Sequence, residues 1–122
     1  DRNTISKWNP ADSSETVLLR ADGCSSNNGT KATPALSADI LGDWREEVVW
    51  RTTDNKELRI YTTVIPTKYR FYTLMHDPQY RLSIAWQNVA YNQPPHVGFY
   101  LGEDMTEPPR PKIEVIEFKK KS

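Results

Sequence analysis

The sequence predicts an all-β chain, and three observations lead to that class. Short stretches rich in Val, Ile, Thr, Tyr and Trp recur along the chain, separated by clusters of Gly, Pro, Asn and Asp. Two stretches alternate with a period of two, placing Leu58, Ile60 and Thr62 on one face and Leu82, Ile84 and Trp86 on another. No stretch reads convincingly as a helix.

Residues 1–14 are polar, with Trp8 and Pro10 as the strong features, and read as a connector. The run Thr16-Val17-Leu18-Leu19-Arg20 is a strand candidate. Residues 21–33 form a long polar loop in which Asp22-Gly23 and Asn28-Gly29 are turn signals, because both pairs tolerate positive φ. Lys31 is its only cation, and polar loops of this length are often functional. Residues 35–39 read as a strand entering an acidic loop, and 47–52 and 57–62 as a hairpin across Asp54-Asn55. Pro66 ends that run. Further strands are expected at 70–74, 81–87, 96–101 and 113–118. Between them lie the turn His76-Asp77-Pro78, a polar loop over 88–95 centred on Tyr91, and a proline-rich spacer over 105–111. The tail Lys119-Lys120-Lys121 reads as solvated.

About eight short strands result, and propeller blades use about four strands in roughly 40–50 residues, so the length suits about two blades. A sandwich or a small barrel fits the strand count equally well. On the propeller reading the chain divides into a 1–14 connector, a 15–118 blade segment and a 119–122 tail.

The chain has 122 residues with 16 basic and 16 acidic side chains, so it carries no cationic excess to neutralise phosphates, and nucleic acid is not expected as a partner. No apolar run approaches the ~18 residues of a membrane span, and no segment has the layout of a signal peptide. Cys24 is single, which excludes an internal disulfide framework and a cysteine-rich zinc site. It lies in a polar loop with no histidine near it in sequence, which argues against a catalytic thiol. The core is expected to be small and to need a metal or neighbouring segments.

The acidic loop over 38–50 places Asp39, Asp43 and Glu47 at first, fifth and ninth positions, with the Arg45 carbonyl seventh. Calcium takes about six to eight hard oxygens at flexible geometry, and such a loop presents several of them. Leu41 stands at the third position and cannot ligate. The alternative is a polar turn whose carboxylates are solvated or paired with Arg45 and Arg51.

Four strings, Asn27-Asn28-Gly29-Thr30-Lys31, the loop from Ala38 to Glu47, the run from Tyr72 to Arg81, and the stretch from Trp86 to His96, together resemble one family. They look like the C-terminal portion of the rhamnogalacturonan lyases of polysaccharide lyase family 11. The resemblance implies a piece of an eight-bladed β-propeller stabilised by calcium, from a secreted or periplasmic enzyme. It implies a pectic polysaccharide, rhamnogalacturonan I, as partner, cut at its rhamnose–galacturonate backbone by β-elimination. On the matching positions Lys31 resembles a catalytic lysine, and Asn28, Gly29, Thr30 and Tyr91 resemble sugar contacts. The family's use of calcium favours Asp39, Asp43 and Glu47 as its ligands here. Further cleft residues, including an arginine to face the uronate carboxylate, are expected upstream, so the isolated piece is expected to be inactive. Unpaired strand edges would favour self-association. Two other readings remain: a non-catalytic carbohydrate-binding unit, and purely structural blades. His76-Asp77 and His96 read first as turn and strand-start residues rather than an acid–base pair.

Overall fold

The computed structural model describes residues 2–89, 92–102, 104–108 and 110–116. Two antiparallel sheets carry the strands. In the first, β1 (Thr4–Asn9) pairs with β2 (Ser14–Arg20) from Thr4 opposite Arg20 to Asn9 opposite Ser14, with a shift of register between Ile5 and Ser6. Its turn is closed by side chains: Asn9 Oδ1 accepts from the Ala11 N–H and Asp12 Oδ1 from the Ser14 N–H. Asn and Asp do this readily, which is why they mark turns. A strand thus occupies residues that read as a connector.

In the second sheet β5 (Glu47–Thr52) is central. The short β3 (Cys24–Ser25) and β4 (Leu36–Ala38) pair with its two ends, while β6 (Leu58–Tyr61) pairs with Val48 to Arg51. Val49 pairs with both Leu36 and Ile60, so β4 and β6 lie on opposite sides of β5. The Asp54-Asn55 turn forms as its sequence predicts: Asn55 takes φ of 60°, and Asp54 Oδ1 accepts from Thr52 Oγ1 at 2.6 Å.

The apolar core is small. Ala21, Cys24 and Trp50 are buried together, with Ile5, Leu19, Val48 and Tyr61 packed around them. Trp50 meets Tyr61 edge-on at 5.6 Å between ring centres, a favoured aromatic geometry. Ile5 and Leu19 come from the first sheet, so this cluster joins the two sheets. Leu58, Ile60, Val64 and Ile65 remain exposed.

The expectation of an all-β chain made of about two propeller blades is not met. Residues 81–86 belong to α1 (Pro78–Trp86), a nine-residue helix capped by Gln87 and preceded by a 3-10 turn at Leu74–His76. Among the described residues the strands form a two-stranded and a four-stranded sheet, neither closed on itself. Residues 70–73, 96–101 and 113–116 are irregular rather than strands. The helix has local causes. Asp77 is its N-cap, accepting from the Gln79 N–H at 3.0 Å, and Pro78 holds the first position, where its missing N–H costs nothing.

The alternation of Leu82, Ile84 and Trp86 misleads because the inward face of α1 is polar. Tyr80, Ser83 and Gln87 are the buried residues, while Leu82 and Trp86 are exposed. Each buried group stands in for a strand partner. The Gln87 side chain accepts from the Ser37 N–H at 2.9 Å and donates to the Ser37 carbonyl at 3.1 Å. Ser83 Oγ accepts from the His96 N–H at 3.1 Å, and its one proton is shared among the Gln79, Tyr80 and His96 carbonyls, each at 3.0 Å. The helix is therefore fixed to β4 and to residue 96 by hydrogen bonds to backbone, not by an apolar stripe.

Candidate functional site

The turn over residues 27–31 is over-determined. The Asn27 N–H donates to the Thr33 carbonyl at 2.7 Å, and the Ala32 N–H to the Asn28 carbonyl at 3.2 Å. Asn28 Oδ1 accepts from the Thr30 N–H at 2.9 Å, from Thr30 Oγ1 at 2.8 Å and from the Lys31 N–H at 3.2 Å. The left-handed conformation falls on Ala32, at φ of 54°, and not on Gly29. Asn28 is thus first the linchpin of its own turn, and Lys31 is exposed on it.

The turn is tied to the segment that follows α1. Asn28 Nδ2 donates to Asn92 Oδ1 at 2.8 Å, and Asn27 Nδ2 to Asn88 Oδ1 at 2.9 Å. Asn92 Nδ2 donates to the same Asn88 oxygen at 2.8 Å, and Asn88 Nδ2 to the Ala35 carbonyl at 2.8 Å. The structure therefore brings Asn28, Gly29, Thr30 and Lys31 together with residues 88 and 92. Tyr91 lies outside the described residues.

Beside the turn is a polar hollow of about 360 Å³, lined in part by Asn27 and Gly29 and by two arginines, Arg2 and Arg51. Arg51 is oriented by Asn55 Oδ1 at 2.7 Å and the Ser26 carbonyl at 3.4 Å. Two guanidinium groups suit a carboxylate-bearing ligand. Their signal in the sequence is weak, since Arg51 reads only as a pairing partner for the acidic-loop carboxylates and Arg2 as part of a connector. A larger hollow of about 590 Å³ involves Tyr69, Phe71, Tyr72 and Phe99 with Arg70 and Arg110. The 27–31 turn does not line it.

The acidic loop is organised differently from the calcium expectation. Glu47 is fully buried; its Oε2 accepts from the Ile40 and Leu41 N–H groups at 2.9 and 3.0 Å, and its Oε1 from Thr62 Oγ1 at 3.1 Å. Asp39 Oδ2 accepts from Thr73 Oγ1 at 2.6 Å and from the Leu74 N–H at 2.8 Å, while the buried Oδ1 has no partner. Asp43 points to Arg45, in a 2.6 Å ion pair that holds its carboxyl below the usual carboxylate range. Among the described residues no three His, Cys, Asp or Glu side chains form a group able to hold a metal ion. Asp39, Asp43 and Glu47 as placed here do not fit calcium, because all but one of the buried oxygens already serve protein donors.

Glu46 and Tyr80 close this region. The Tyr80 hydroxyl accepts from the Asp39 N–H at 2.8 Å and donates to Glu46 Oε1 at 2.8 Å. Crowding by protein, then the nearby charges of Asp39 and Glu47, raise the Glu46 carboxyl, partly opposed by the Tyr80 hydrogen bond. Glu46 as a residue is exposed, so only its carboxylate end feels this. Burial, with Glu46 beside it, pushes the Tyr80 phenol upward. His76 Nδ1 lies 2.7 Å from the Thr73 carbonyl while Asp77 caps α1, so the two act as turn residues.

Residues 1–111 match the profile described as "Rhamnogalacturonan lyase family 11, C-terminal domain". The chain belongs to rhamnogalacturonan lyase family 11. It is 63% identical over 113 residues to rhamnogalacturonan endolyase YesW of Bacillus subtilis (strain 168), and 55% identical over 114 residues to rhamnogalacturonan exolyase YesX of the same organism. Each alignment covers 93% of this chain but 18% and 19% of the relative, so the chain spans about a fifth of their length. The solved rhamnogalacturonan lyase PL11 of Bacillus licheniformis matches with a TM-score of 0.85 at 65% identity, covering 93% of this chain and 19% of that one. The crystal structure of YesW matches with a TM-score of 0.81 over 86% of this chain and 18% of that one. Within family 11 this chain thus stands as a C-terminal unit, with an α-helix where its sequence alternates like a strand. Among the described residues, no helix is long and apolar enough to cross a membrane.

Proposed function

We propose that the protein of which this chain is the C-terminal part is a secreted or periplasmic lyase cleaving the rhamnose–galacturonate backbone of rhamnogalacturonan I by β-elimination. The observation that supports it is the meeting of the 27–31 turn with residues 88 and 92 beside a hollow bearing Arg2 and Arg51. The reaction needs positive charge on the uronate carboxylate so that the C5 proton becomes acidic, a base to take that proton, and a donor to the leaving 4-linked oxygen. Arg51 and Arg2 supply charge for the first task. Lysine becomes a base only when burial or neighbouring cations strip its proton. Lys31 is exposed, which favours a cationic role, holding the carboxylate or donating to the leaving oxygen, and leaves the C5 proton to a base from the part of the protein upstream of this chain. Gly29, Thr30 and Tyr91 remain the proposed sugar contacts, with Asn28 shaping the turn that carries them. The enzyme-level dependence on calcium is part of this reading, but no step is routed through Asp39, Asp43 or Glu47.

The domain boundary is proposed to begin at β1 rather than after it, because Ile5 packs on the common core. Exposed Leu58, Ile60, Val64 and Ile65 are proposed to contact further protein, either the rest of the polypeptide or a second copy. A second, non-catalytic reading draws on the aromatic and cationic lining of the larger hollow, which suits binding of an acidic sugar chain. Incubating the whole protein with rhamnogalacturonan I and following unsaturated uronate absorbance tests the proposal. The whole protein is expected to produce the signal and the isolated chain is not, because one wall of a cleft cannot hold reacting groups in place. An inactive whole protein that still binds the polymer would favour the second reading.

A further inference from the structure

The amide cluster behind the 27–31 turn has a stricter geometry than a solvated loop requires. We infer that Asn92 and Asn88 are positioning residues for Lys31, an inference that rests on the lyase reading of that lysine. Asn92 is the keystone. Its Oδ1 accepts from Asn28 Nδ2 at 2.8 Å, and its Nδ2 donates to Asn88 Oδ1 at 2.8 Å and to the Gln87 carbonyl at 3.4 Å. Asn92 reaches these partners from φ of 51°, a left-handed conformation that Asn tolerates better than most residues. Asn88 Oδ1 receives two donors, from Asn27 and Asn92, and its own amide is pinned to the Ala35 carbonyl.

The order of contacts runs in one direction. The end of α1 is fixed to β4 through Gln87 and Ser37. Asn88 and Asn92 carry that fixed frame to Asn27 and Asn28. Asn28 Oδ1 then holds the Lys31 N–H and both donors of Thr30. Lys31 is thereby set relative to the helix end through side-chain amides rather than through sheet pairing. Removing a link should leave the two sheets intact while loosening the lysine. Displacements of about an ångström cost roughly a hundredfold when a reacting geometry is at stake.

The test uses the full-length protein with rhamnogalacturonan I as substrate, comparing Asn92→Gly, Asn88→Ala, Asn88→Asp and Lys31→Ala. Glycine at 92 keeps the left-handed conformation without strain while deleting the amide. Asn88→Asp keeps the oxygen that receives Asn27 and Asn92. Asn92→Gly and Asn88→Ala are expected to lower kcat by about tenfold to a hundredfold with KM within about twofold and an unchanged melting temperature, and Asn88→Asp, which loses the bond to the Ala35 carbonyl, to recover part of the rate. Normal kcat in Asn92→Gly and Asn88→Ala, in an enzyme that Lys31→Ala inactivates, overturns the positioning role and leaves the lyase reading of Lys31 standing. Normal kcat in Lys31→Ala overturns that reading, and the inference with it. A rate loss that tracks a falling melting temperature, with no recovery in Asn88→Asp, assigns the cluster a purely structural role and also overturns the inference.

Discussion

Lys31→Ala in the full-length protein is expected to lower kcat roughly 10²- to 10⁴-fold, the usual range for losing a positioned proton donor or acceptor. KM should change far less, because the proposed sugar contacts Gly29 and Thr30 and the two arginines of the hollow are unaltered. An interaction made mainly in the transition state lowers kcat and kcat/KM together, whereas a binding contact raises KM at constant kcat. Steady-state kinetics on rhamnogalacturonan I separates the two. Loss of affinity with kcat retained would make Lys31 a binding residue and move the site towards the non-catalytic reading. Lys31→Arg adds a second discrimination. It keeps the charge but presents a planar fork in place of a compact ammonium, so a role in holding the carboxylate should survive better than a role in donating a proton.

Glu47→Ala is expected to be the most destabilising single substitution in the acidic loop. Glu47 is fully buried, and its two oxygens receive the N–H groups of Ile40 and Leu41 and the hydroxyl of Thr62. Truncation takes the acceptor from the Leu41 N–H and the Thr62 hydroxyl at about 1–3 kcal/mol each, while the Ile40 N–H keeps the Ala38 carbonyl at 2.9 Å, so a net cost of about 2–4 kcal/mol is expected. That is a large share of the roughly 5–15 kcal/mol that holds an ordinary domain. Glu47→Gln should cost less, because one oxygen still accepts. Urea unfolding of the chain, with and without each substitution, measures the difference. A cost below about 1 kcal/mol for Glu47→Ala would show that the loop does not depend on these bonds.

The strand content around β5 was legible because it followed local rules. Residues 47–52 carry β-branched and aromatic side chains, and Asp54-Asn55 supplies the turn into β6. The helix was hidden for a physical reason. Its inward residues Tyr80, Ser83 and Gln87 are polar, so a search for apolar periodicity finds Leu82, Ile84 and Trp86 and assigns the wrong period. The cue that was present, Asp77 before Pro78, is a helix start as readily as a bend. β3, with two residues, is held by its neighbours and leaves no pattern of its own.

The local geometry of the candidate site was legible in part. Asn28-Gly29 gave the turn, and Lys31 stood out as the only cation in its loop. Asn88 and Asn92 could not be found as partners of that turn, because a side-chain amide 61 or 64 residues away leaves no periodic trace. The acidic loop shows the opposite failure. Asp39, Asp43 and Glu47 have ligand-like spacing, yet the fold uses Glu47 to cap backbone N–H groups and Asp43 to hold Arg45. Spacing records which oxygens a loop offers; it does not record which donors reach them first.

The central claim is that the 27–31 turn faces the reacting sugar. A crystal structure of the full-length protein with a bound rhamnogalacturonan oligosaccharide tests it most directly. Lys31 Nζ is expected within hydrogen-bond reach, about 2.6–3.2 Å, of the uronate carboxylate or the scissile glycosidic oxygen, with the Arg2–Arg51 hollow alongside. An oligosaccharide bound in a productive pose elsewhere, with the 27–31 turn in contact only with solvent or protein, would contradict the account.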